Sequence, residues 1–223
     1  MKVLCTTPLL KEVDGRARLY GRALQSQFNL SWADRLDHFI CNGGDDYFHP
    51  WQRVTDKYNA ARQVALDGGY THLLTLEHDV IVPPDALKKL LDADAPICYA
   101  LYVLRHKLHN TYPWNAMTKV EGQNCTSLSE DVDAARKSFG SVINVAGIGL
   151  GCTLIRRDVL EALSFRTPKG TSCDWALSLD AQAMGIQQVC DTSVCCAHMT
   201  LVPSPRIYHV DVDAPELYRV EYL

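Results

Sequence analysis

Short apolar runs alternate along the chain with longer stretches in which apolar residues recur at helical spacing. The runs at residues 2–7 and 36–42 predict buried strands, and a helical stretch lies between them. Pro50 opens a predicted helix that Gly68 and Gly69 close. This alternation predicts an α/β fold with a single, mostly parallel central sheet flanked by helices.

The second half of the chain is less regular. Residues 72–79 form an apolar run that ends in acidic residues, which predicts a strand followed by a polar loop. Residues 105–130 are polar and aromatic without a sustained period, so we expect a long functional loop or an insert there. The pattern then predicts a helix over 172–185, a strand pair over 187–199 and a tail that wraps the surface beyond Thr200.

Composition and charge exclude several classes of protein. Hydrophobic residues make up 47% of the 223 residues and charged residues 22%, which is typical of a globular protein rather than a disordered one. The net charge of -4 excludes a global basic field that would attract nucleic acid or anionic lipid. No apolar run approaches a membrane span and no signal-peptide core follows Met1, so we expect a cytoplasmic protein without membrane insertion.

The nine cysteines are scattered in apolar contexts, so we interpret them as buried thiols rather than disulfide partners. The densest group is Cys190, Cys195, Cys196 and His198, whose residue types suit zinc. Its spacing lacks paired C-x-x-C knuckles, and strand alternation points Cys195 and Cys196 to opposite faces. The spacing therefore argues against a structural zinc site.

Glu77, His78 and Asp79 are the first candidate for chemistry, because they stand where a predicted strand ends. Open α/β sheets bind ligands at the carboxyl ends of their strands. Carboxylates in that place suit a hard divalent cation that bridges diphosphate oxygens. Taken alone, an acidic pair at a strand end is more often a solvated loop or a helix cap than a metal site.

The order of motifs along nearly the whole chain resembles that of glycosyltransferase family 2, a group of enzymes with the GT-A fold. The first motifs of that family are similar to VLCTTP, CNGGDD and NAARQVAL here, and its apolar strand ending in D-x-D is similar to THLLTLEHDVIVPPDAL, residues 71–87. Its later motifs are similar to GIGLGCTLIRRDVLEAL, CDWALSLDAQAMG and CCAHM. The chain departs from the family where Glu77 replaces the first aspartate of D-x-D and where Cys173 precedes Asp174.

The resemblance implies transfer of a sugar, with inversion, from a nucleotide-diphosphate sugar to a hydroxyl acceptor. We expect a UDP-linked donor and Mn²⁺ or Mg²⁺ as the metal. Asp79 corresponds to the family's direct metal ligand, and Glu77 contacts the ribose, the metal or a metal-bound water. His198 corresponds to a late histidine that completes the metal site in several members. The alternative for His198 is a hydrogen-bonded strand histidine without a ligand role.

Asp174 is our choice for the catalytic base implied by the resemblance. A carboxylate there takes the proton from the acceptor hydroxyl as its oxygen attacks the anomeric carbon. The first turn of a helix favours an ionised carboxylate. Asp is also common at helix starts for stability alone, which is the alternative reading.

The remaining donor contacts implied by the resemblance lie on several loops. Most of these residue types also have ordinary structural roles in turns, on helix surfaces or in packing. The expected contacts are Thr6, Thr7 and Pro8 after the first strand, Asp45 or Asp46 for the uracil imino group, Arg62 near the phosphates, His78 in the acidic tripeptide, Gly149 where a missing side chain lets a ligand approach, and Trp175 for stacking on a sugar.

We read residues 1–223 as a single GT-A-like domain. Residues 1–103 form its nucleotide-binding half, residues 104–200 its acceptor and catalytic half, and residues 201–223 its tail. The acceptor class stays open among glycans, proteins, small molecules and hydroxylated DNA bases.

Two alternatives to this function remain at this point. A DNA glycosyltransferase of the virus-encoded type would use Arg105, His106, Lys107 and His109 to touch phosphates, although the acidic net charge argues against it. A non-catalytic nucleotide-sugar-binding module would explain the departures from the family at Glu77 and Cys173.

Overall fold

The computed structural model describes residues 1–9, 17–32, 34–42, 50–108, 111–122, 124–147, 149–200 and 204–223. The strands in chain order are β1 (Lys2–Leu9), β2 (Arg35–Asn42), β3 (His72–Leu76), β4 (Val80–Ile81), β5 (Ile97–Leu101), β6 (Met117–Glu121), β7 (Asn124–Ser127), β8 (Val142–Asn144), β9 (Cys152–Arg156), β10 (Gln188–Cys195), β11 (Ala197–Thr200), β12 (Arg206–Val210) and β13 (Tyr218–Tyr222). The helices are α1 (Ala17–Phe28), α2 (Pro50–Asp67), α3 (Ala86–Asp92), α4 (Val132–Ser138), α5 (Arg157–Ala162) and α6 (Cys173–Ala183).

The central sheet has seven strands in the order β2-β1-β3-β9-β5-β10-β8. Strand β1 is parallel to both of its neighbours, β2 and β3, and β5 is parallel to β10. Only β9 and β8 run antiparallel to the strands beside them. The predicted class, a mixed α/β fold with a mostly parallel central sheet flanked by helices, is confirmed.

Two hydrophobic layers cover the two faces of this sheet. In β3, Leu73 packs in the layer that contains Tyr58 of α2, whereas its neighbour Leu74 packs in the layer that contains Leu87 of α3. Successive side chains of a strand point to opposite faces, so a strand covered on both sides is apolar throughout. This double burial explains why β3 is mostly apolar up to the acidic residues; its buried Thr75 donates its hydroxyl hydrogen to the Leu150 carbonyl at 2.8 Å.

A second sheet of four antiparallel strands, in the order β13-β12-β11-β4, stands beside the carboxyl end of β3. Residues 187–199 are therefore not a strand pair, because β10 belongs to the central sheet and β11 to the second one. The prediction of a tail that wraps the surface beyond Thr200 is also wrong. Beyond residue 205 the chain forms β12 and β13, and Tyr208 and Leu217 are fully buried.

Residues 105–130 are more ordered than their composition predicts. Strands β6 and β7 pair as a hairpin, and a 3₁₀ turn at Leu128–Glu130 follows. The side chain of Ser127 accepts a hydrogen bond from the turn while Glu130 accepts one from the Ser127 backbone, so a capping box fixes this end. The segment is thus a folded insert and not an open loop.

Buried Asn115 ties this insert to the end of β5. Its side-chain carbonyl accepts from the Tyr102 N–H at 2.8 Å, and its amide nitrogen donates to the Ala100 carbonyl at 2.9 Å. Its own N–H donates to the Tyr102 carbonyl at 2.9 Å. These bonds satisfy backbone groups that β5 leaves behind when its ladder ends, and they set the course of the chain towards Arg105.

The cysteines whose side chains are described are free thiols, as predicted. Those fully buried are Cys5, Cys98, Cys152, Cys173, Cys190 and Cys196. In the described part of the chain, every helix is too short or too polar to cross a membrane.

Candidate active site

A cavity of about 290 Å³ opens at the carboxyl ends of β1 and β3. The acidic tripeptide after β3 forms one side of it, and the first turn of α6 forms another. Helix α2 adds a wall with an apolar and an aromatic side chain. The lining residues are Pro8, Val54, Tyr58, Glu77, His78, Asp79, Arg105, Leu150, Cys173 and Asp174. The edge of the sheet that sequence reasoning selected is therefore where the cavity lies.

The pairing of β4 with β11 brings His198 to the acidic tripeptide. Val80 stands opposite His198 in this pair, and the Met199 N–H donates to the Asp79 carbonyl at 2.8 Å. One potential ligand atom from each of Glu77, Asp79 and His198 lies within 4.8 Å of the others. In the described residues this is the one place where three such side chains converge closely enough to share an ion.

The hydrogen bonds of His198 determine which ring nitrogen faces Asp79. Nδ1 lies 2.8 Å from the Val103 carbonyl, which can only accept, so Nδ1 carries a proton. In the neutral ring Nε2 then has a free lone pair, and it lies 3.8 Å from Asp79 Oδ2. Neither His198 Nε2 nor Asp79 Oδ1 has a hydrogen-bond partner, although both are buried. A cation bound at this place would give both atoms a partner.

Arg105 supplies positive charge to this place from the loop after β5. Its guanidinium donates to Asp79 Oδ2, while nearly half of the Arg105 side chain, 46%, is exposed and that of Asp79 only 1%. Burial opposes ionisation of Asp79, but His198 and Arg105 outweigh it and hold the pKa of this carboxyl well below its usual range. Asp79 is therefore an anion whose charge is only partly balanced by a side chain that reaches in from solvent.

Glu77 has the opposite electrostatic character. Burial and the negative charge of Asp79 raise the pKa of Glu77 to about 7. The same burial lowers the pKa of His78, which keeps its imidazole neutral at pH 7. Of the two carboxyls in the tripeptide, Asp79 is the one that holds a full charge, while Glu77 is half-protonated near neutral pH.

Gln27 of α1 holds the turn that carries these groups. Its amide nitrogen donates to the Glu77 carbonyl at 2.8 Å and its oxygen accepts from Thr7 Oγ1 at 2.9 Å. The Val82 N–H donates to Oγ of Ser26, the residue before Gln27 on the same helix, at 3.0 Å. Sequence reasoning missed both residues, because a lone Gln or Ser on an amphipathic helix carries no signal of a buried bond.

The structure requires glycine at position 149 for a reason that differs from the expected approach of a ligand. It has a φ of +105°, and a Cβ added there would come within 2.3 Å of Tyr102 Oη. A Cβ on Gly151 would meet the same ring at 2.8 Å. The glycines therefore admit the protein's own Tyr102 and not a ligand. That ring in turn lies edge-on to His198 with centroids 5.3 Å apart, so it supports the imidazole.

Asp174 faces the cavity from the first turn of α6, as predicted. Its Oδ1 accepts from the Trp175 N–H at 2.9 Å, and Cys173 beside it is buried. The Trp175 indole instead donates to the Gly122 carbonyl at 2.7 Å and is absent from the cavity wall. The predicted stacking of Trp175 on a sugar in this cavity is therefore wrong, and Trp175 instead contacts the β6-β7 hairpin.

The remaining predicted donor contacts divide into three groups. Pro8 lines the cavity, whereas Thr6 and Thr7 use their hydroxyls on the Phe39 carbonyl and on Gln27. Asp45 and Asp46 fall outside the described residues.

Arg62 is not brought to the cavity. Its Nε donates to the carbonyls of Leu160 at 2.6 Å and Leu163 at 2.8 Å, at the end of α5. The last carbonyls of a helix lack partners within the helix, so a nearby arginine is held there. The phosphate contact assigned to Arg62 is replaced by this helix-to-helix bond.

Of the basic residues considered for DNA phosphates, Arg105, His106 and Lys107 are exposed. Arg105 is engaged with Asp79, and Lys107 lies over the Tyr112 ring, 5.4 Å from its centroid. His109 lies outside the described residues. The zinc alternative also finds no support, since His198 uses Nδ1 on Val103 and turns Nε2 towards Asp79.

No protein-family model matches the sequence. No curated protein matches it either. A solved structure, A197 from STIV, is similar in fold with a TM-score of 0.59 and 14% sequence identity, and the match covers 100% of this chain and 94% of that one. This likeness extends over the whole domain and concerns the fold alone.

Two glycosyltransferase structures are more distant. A mannosyltransferase, PcManGT from Pyrobaculum calidifontis in complex with GDP-Man and Mn²⁺, has a TM-score of 0.48 and 15% identity over 86% of this chain and 56% of that one. A glycosyltransferase involved in the glycosylation of the major capsid of PBCV-1 has a TM-score of 0.39 and 11% identity over 73% and 63%. At TM-scores below 0.5, neither likeness carries an argument about this chain.

Replacing Glu77 with glutamine tests its raised pKa. Below the ordinary value of 4.5 the carboxyl is protonated in the folded and the unfolded chain, so the substitution should then have little effect. Between 4.5 and about 7 the unfolded chain ionises while the folded chain keeps its proton, so the wild-type free energy of unfolding falls as the pH rises.

We therefore expect Glu77→Gln to raise Tm by a few degrees at about pH 8 and to leave it unchanged at about pH 4. Calorimetry in buffer with a chelator measures both values. An equal gain at the two pH values would contradict the pKa assigned to Glu77.

Proposed function

We propose that this protein is a metal-dependent glycosyltransferase of the GT-A type that uses a nucleotide-diphosphate sugar. The observation that carries the proposal is that two buried atoms, Asp79 Oδ1 and His198 Nε2, have no hydrogen-bond partner, on side chains that approach to 3.8 Å (Nε2 to Asp79 Oδ2) beside a cavity. The order of sequence motifs supports the same class, and so does the mixed α/β fold.

The residues at this place fit a divalent cation. Asp79 and Glu77 offer carboxylate oxygens, and His198 offers an imidazole nitrogen whose other ring nitrogen is anchored on Val103. A bound Mn²⁺ or Mg²⁺ would supply positive charge to the leaving diphosphate. In this proposal Asp79 and His198 hold the ion, while Glu77, with its weaker charge, contacts it directly or through water.

Asp174 is the proposed base for the transfer step. The acceptor hydroxyl loses its proton to the Asp174 carboxylate as its oxygen forms a bond to the anomeric carbon. The bond from that carbon to the diphosphate oxygen breaks, and the diphosphate leaves with the electron pair. Attack from the side opposite the leaving group inverts the anomeric centre.

Arg105 is proposed to exchange partners during donor binding. Its guanidinium takes one oxygen of Asp79 in this structure and half of its side chain is in solvent. When a cation and a diphosphate are bound, the diphosphate oxygens are a stronger attraction for it than an already coordinated carboxylate. Arg105 then serves as a phosphate contact in the role first assigned to Arg62.

A thermal screen of donors tests the proposed class. We expect UDP-glucose or GDP-mannose with Mn²⁺ to raise Tm by about 5–10 °C at a concentration near 100 times Kd, since that saturation adds about 2.7 kcal/mol to the free energy of unfolding. The substitution Asp79→Asn should abolish the metal-dependent part of the shift. The control Asp180→Asn alters a surface ion pair with Arg166 and should keep the shift. Stabilisation that is the same with a chelator would refute the metal role.

A second prediction concerns Arg105 and the metal alone. Because the guanidinium and a divalent cation compete for the same carboxylate, Arg105→Gln should bind Mn²⁺ without nucleotide about fivefold more tightly than the wild type, as expected for a partly exposed ion pair. Electron paramagnetic resonance of free Mn²⁺ measures this. Arg166→Gln, which breaks a different ion pair, should change nothing. Weaker Mn²⁺ binding by Arg105→Gln would show that the two cations do not compete.

A third prediction separates catalysis from binding. Asp174→Asn keeps the shape of the side chain and removes the base, so we expect donor stabilisation to persist while the transfer rate falls by about 10²–10⁴-fold. Release of nucleotide diphosphate measures the rate. A full rate in this variant would rule out Asp174 as the base. A wild-type protein that binds the donor and never releases diphosphate would be a binding module.

A further inference from the structure

Tyr58 carries a hydroxyl that the fold does not use. The residue lies on α2, is 1% exposed and borders the cavity, yet its Oη has no hydrogen-bond partner. Its ring packs on Phe165 with centroids 5.2 Å apart, a contact that a phenylalanine would make equally well. A buried hydroxyl without a partner costs free energy, so packing does not explain a tyrosine here.

The surroundings of this hydroxyl differ from those of Asp79. Burial and the nearby charges of Glu77, Cys173 and Asp174 raise the pKa of Tyr58 well above its ordinary value, so the phenol stays neutral. In the same cavity, Asp79 is met by the guanidinium of Arg105. The cavity wall therefore contains a cationic group, Arg105, and a neutral hydroxyl donor, Tyr58, besides its acidic groups.

This distribution of charge selects between ligand groups. A phosphate placed against Tyr58 would also stand near Glu77 and Asp174, both of which are acidic, and would be repelled. A neutral hydroxyl group meets no such penalty. It accepts a hydrogen bond from the phenol and donates one to a carboxylate, which satisfies every group involved.

We infer that Tyr58 Oη binds a hydroxyl group of the sugar ring that is transferred. The inference rests on the proposed glycosyl transfer and adds a sugar contact to it. The transferred ring is the part of the substrates that bonds first to the diphosphate, near Asp79, and then to the acceptor oxygen, near Asp174. Tyr58, Asp79 and Asp174 line the same cavity, so a ring held between Asp79 and Asp174 lies within the space that Tyr58 borders.

The substitution Tyr58→Phe removes one oxygen and tests the inference without a ligand. Because the hydroxyl is unbonded in the free protein, we expect Tm to stay the same or to rise. The matched control is Tyr99→Phe. Tyr99 is equally buried at 2% exposure, but its hydroxyl donates to Gln188 Oε1 at 2.7 Å, so its loss should lower Tm by several degrees. A comparable loss in Tyr58→Phe would mean that its hydroxyl is structural, and the inference would be wrong.

Binding of the sugar is the second test. Calorimetry with Mn²⁺ compares UDP with UDP-glucose and GDP with GDP-mannose, whichever pair the wild type binds. We expect Tyr58→Phe to keep the affinity for the nucleotide diphosphate within about twofold and to weaken the nucleotide sugar by about three- to tenfold, the worth of one hydrogen bond. Equal loss for both ligands, or for neither, would overturn the assignment to the sugar.

Failure of the proposed function has a different signature. If the wild type binds none of the four nucleotides, the glycosyltransferase proposal fails, and the Tm comparison still reports whether the Tyr58 hydroxyl is free. If the wild type binds a nucleotide sugar and Tyr58→Phe binds it equally well, the function stands and the inference about Tyr58 fails.

Discussion

The short pairing of β4 with β11 is the contact on which the candidate site depends. It joins the turn after β3 to a strand from the far end of the chain, and Val80 opposite His198 sets the register. That register buries the Asp79 carboxylate beside the His198 imidazole, with Nε2 3.8 Å from Asp79 Oδ2. Desolvation makes such an arrangement costly unless a positive charge joins it. Arg105 is the positive charge that meets Asp79 in this structure, and a divalent cation is the one that we propose.

The cavity beside Asp79 is lined by both charged and uncharged side chains. Asp79 and Arg105 form an ion pair that is partly open to solvent, and α2 contributes two uncharged side chains, Val54 and Tyr58, to the cavity wall. Asp174 looks into the same space from α6. A substrate with an anionic part, a neutral polyhydroxyl ring and a reacting hydroxyl would find one matching group for each. This match is a stronger reason for the proposed class than the tripeptide alone.

Much of the fold was predictable from the sequence, because doubly covered strands such as β3 are continuous apolar runs and α2 has clear start and stop residues. The hairpin β6-β7 and the edge strand β8 were missed. The exposed residues of these strands give no strong period, and their order comes from tertiary bonds such as those of Asn115. Within the site, Asp79, His198 and Asp174 were found from the motifs. Arg62, Gly149 and Trp175 were assigned to a ligand when their partners are other parts of the protein, which no single sequence shows.

Strands β12 and β13 extend the second sheet on the side of β11 away from β4. They therefore support the strand that carries His198, although they follow all residues of the site in the sequence. During synthesis the acidic turn emerges early, while the histidine and the strands that hold it come late. The contact between Asp79 and His198 can therefore form only after most of the domain has been synthesised. Contacts between segments distant in sequence also form slowly. A nascent chain would bring Asp79 and His198 together in one late step, and not gradually as the sheet grows.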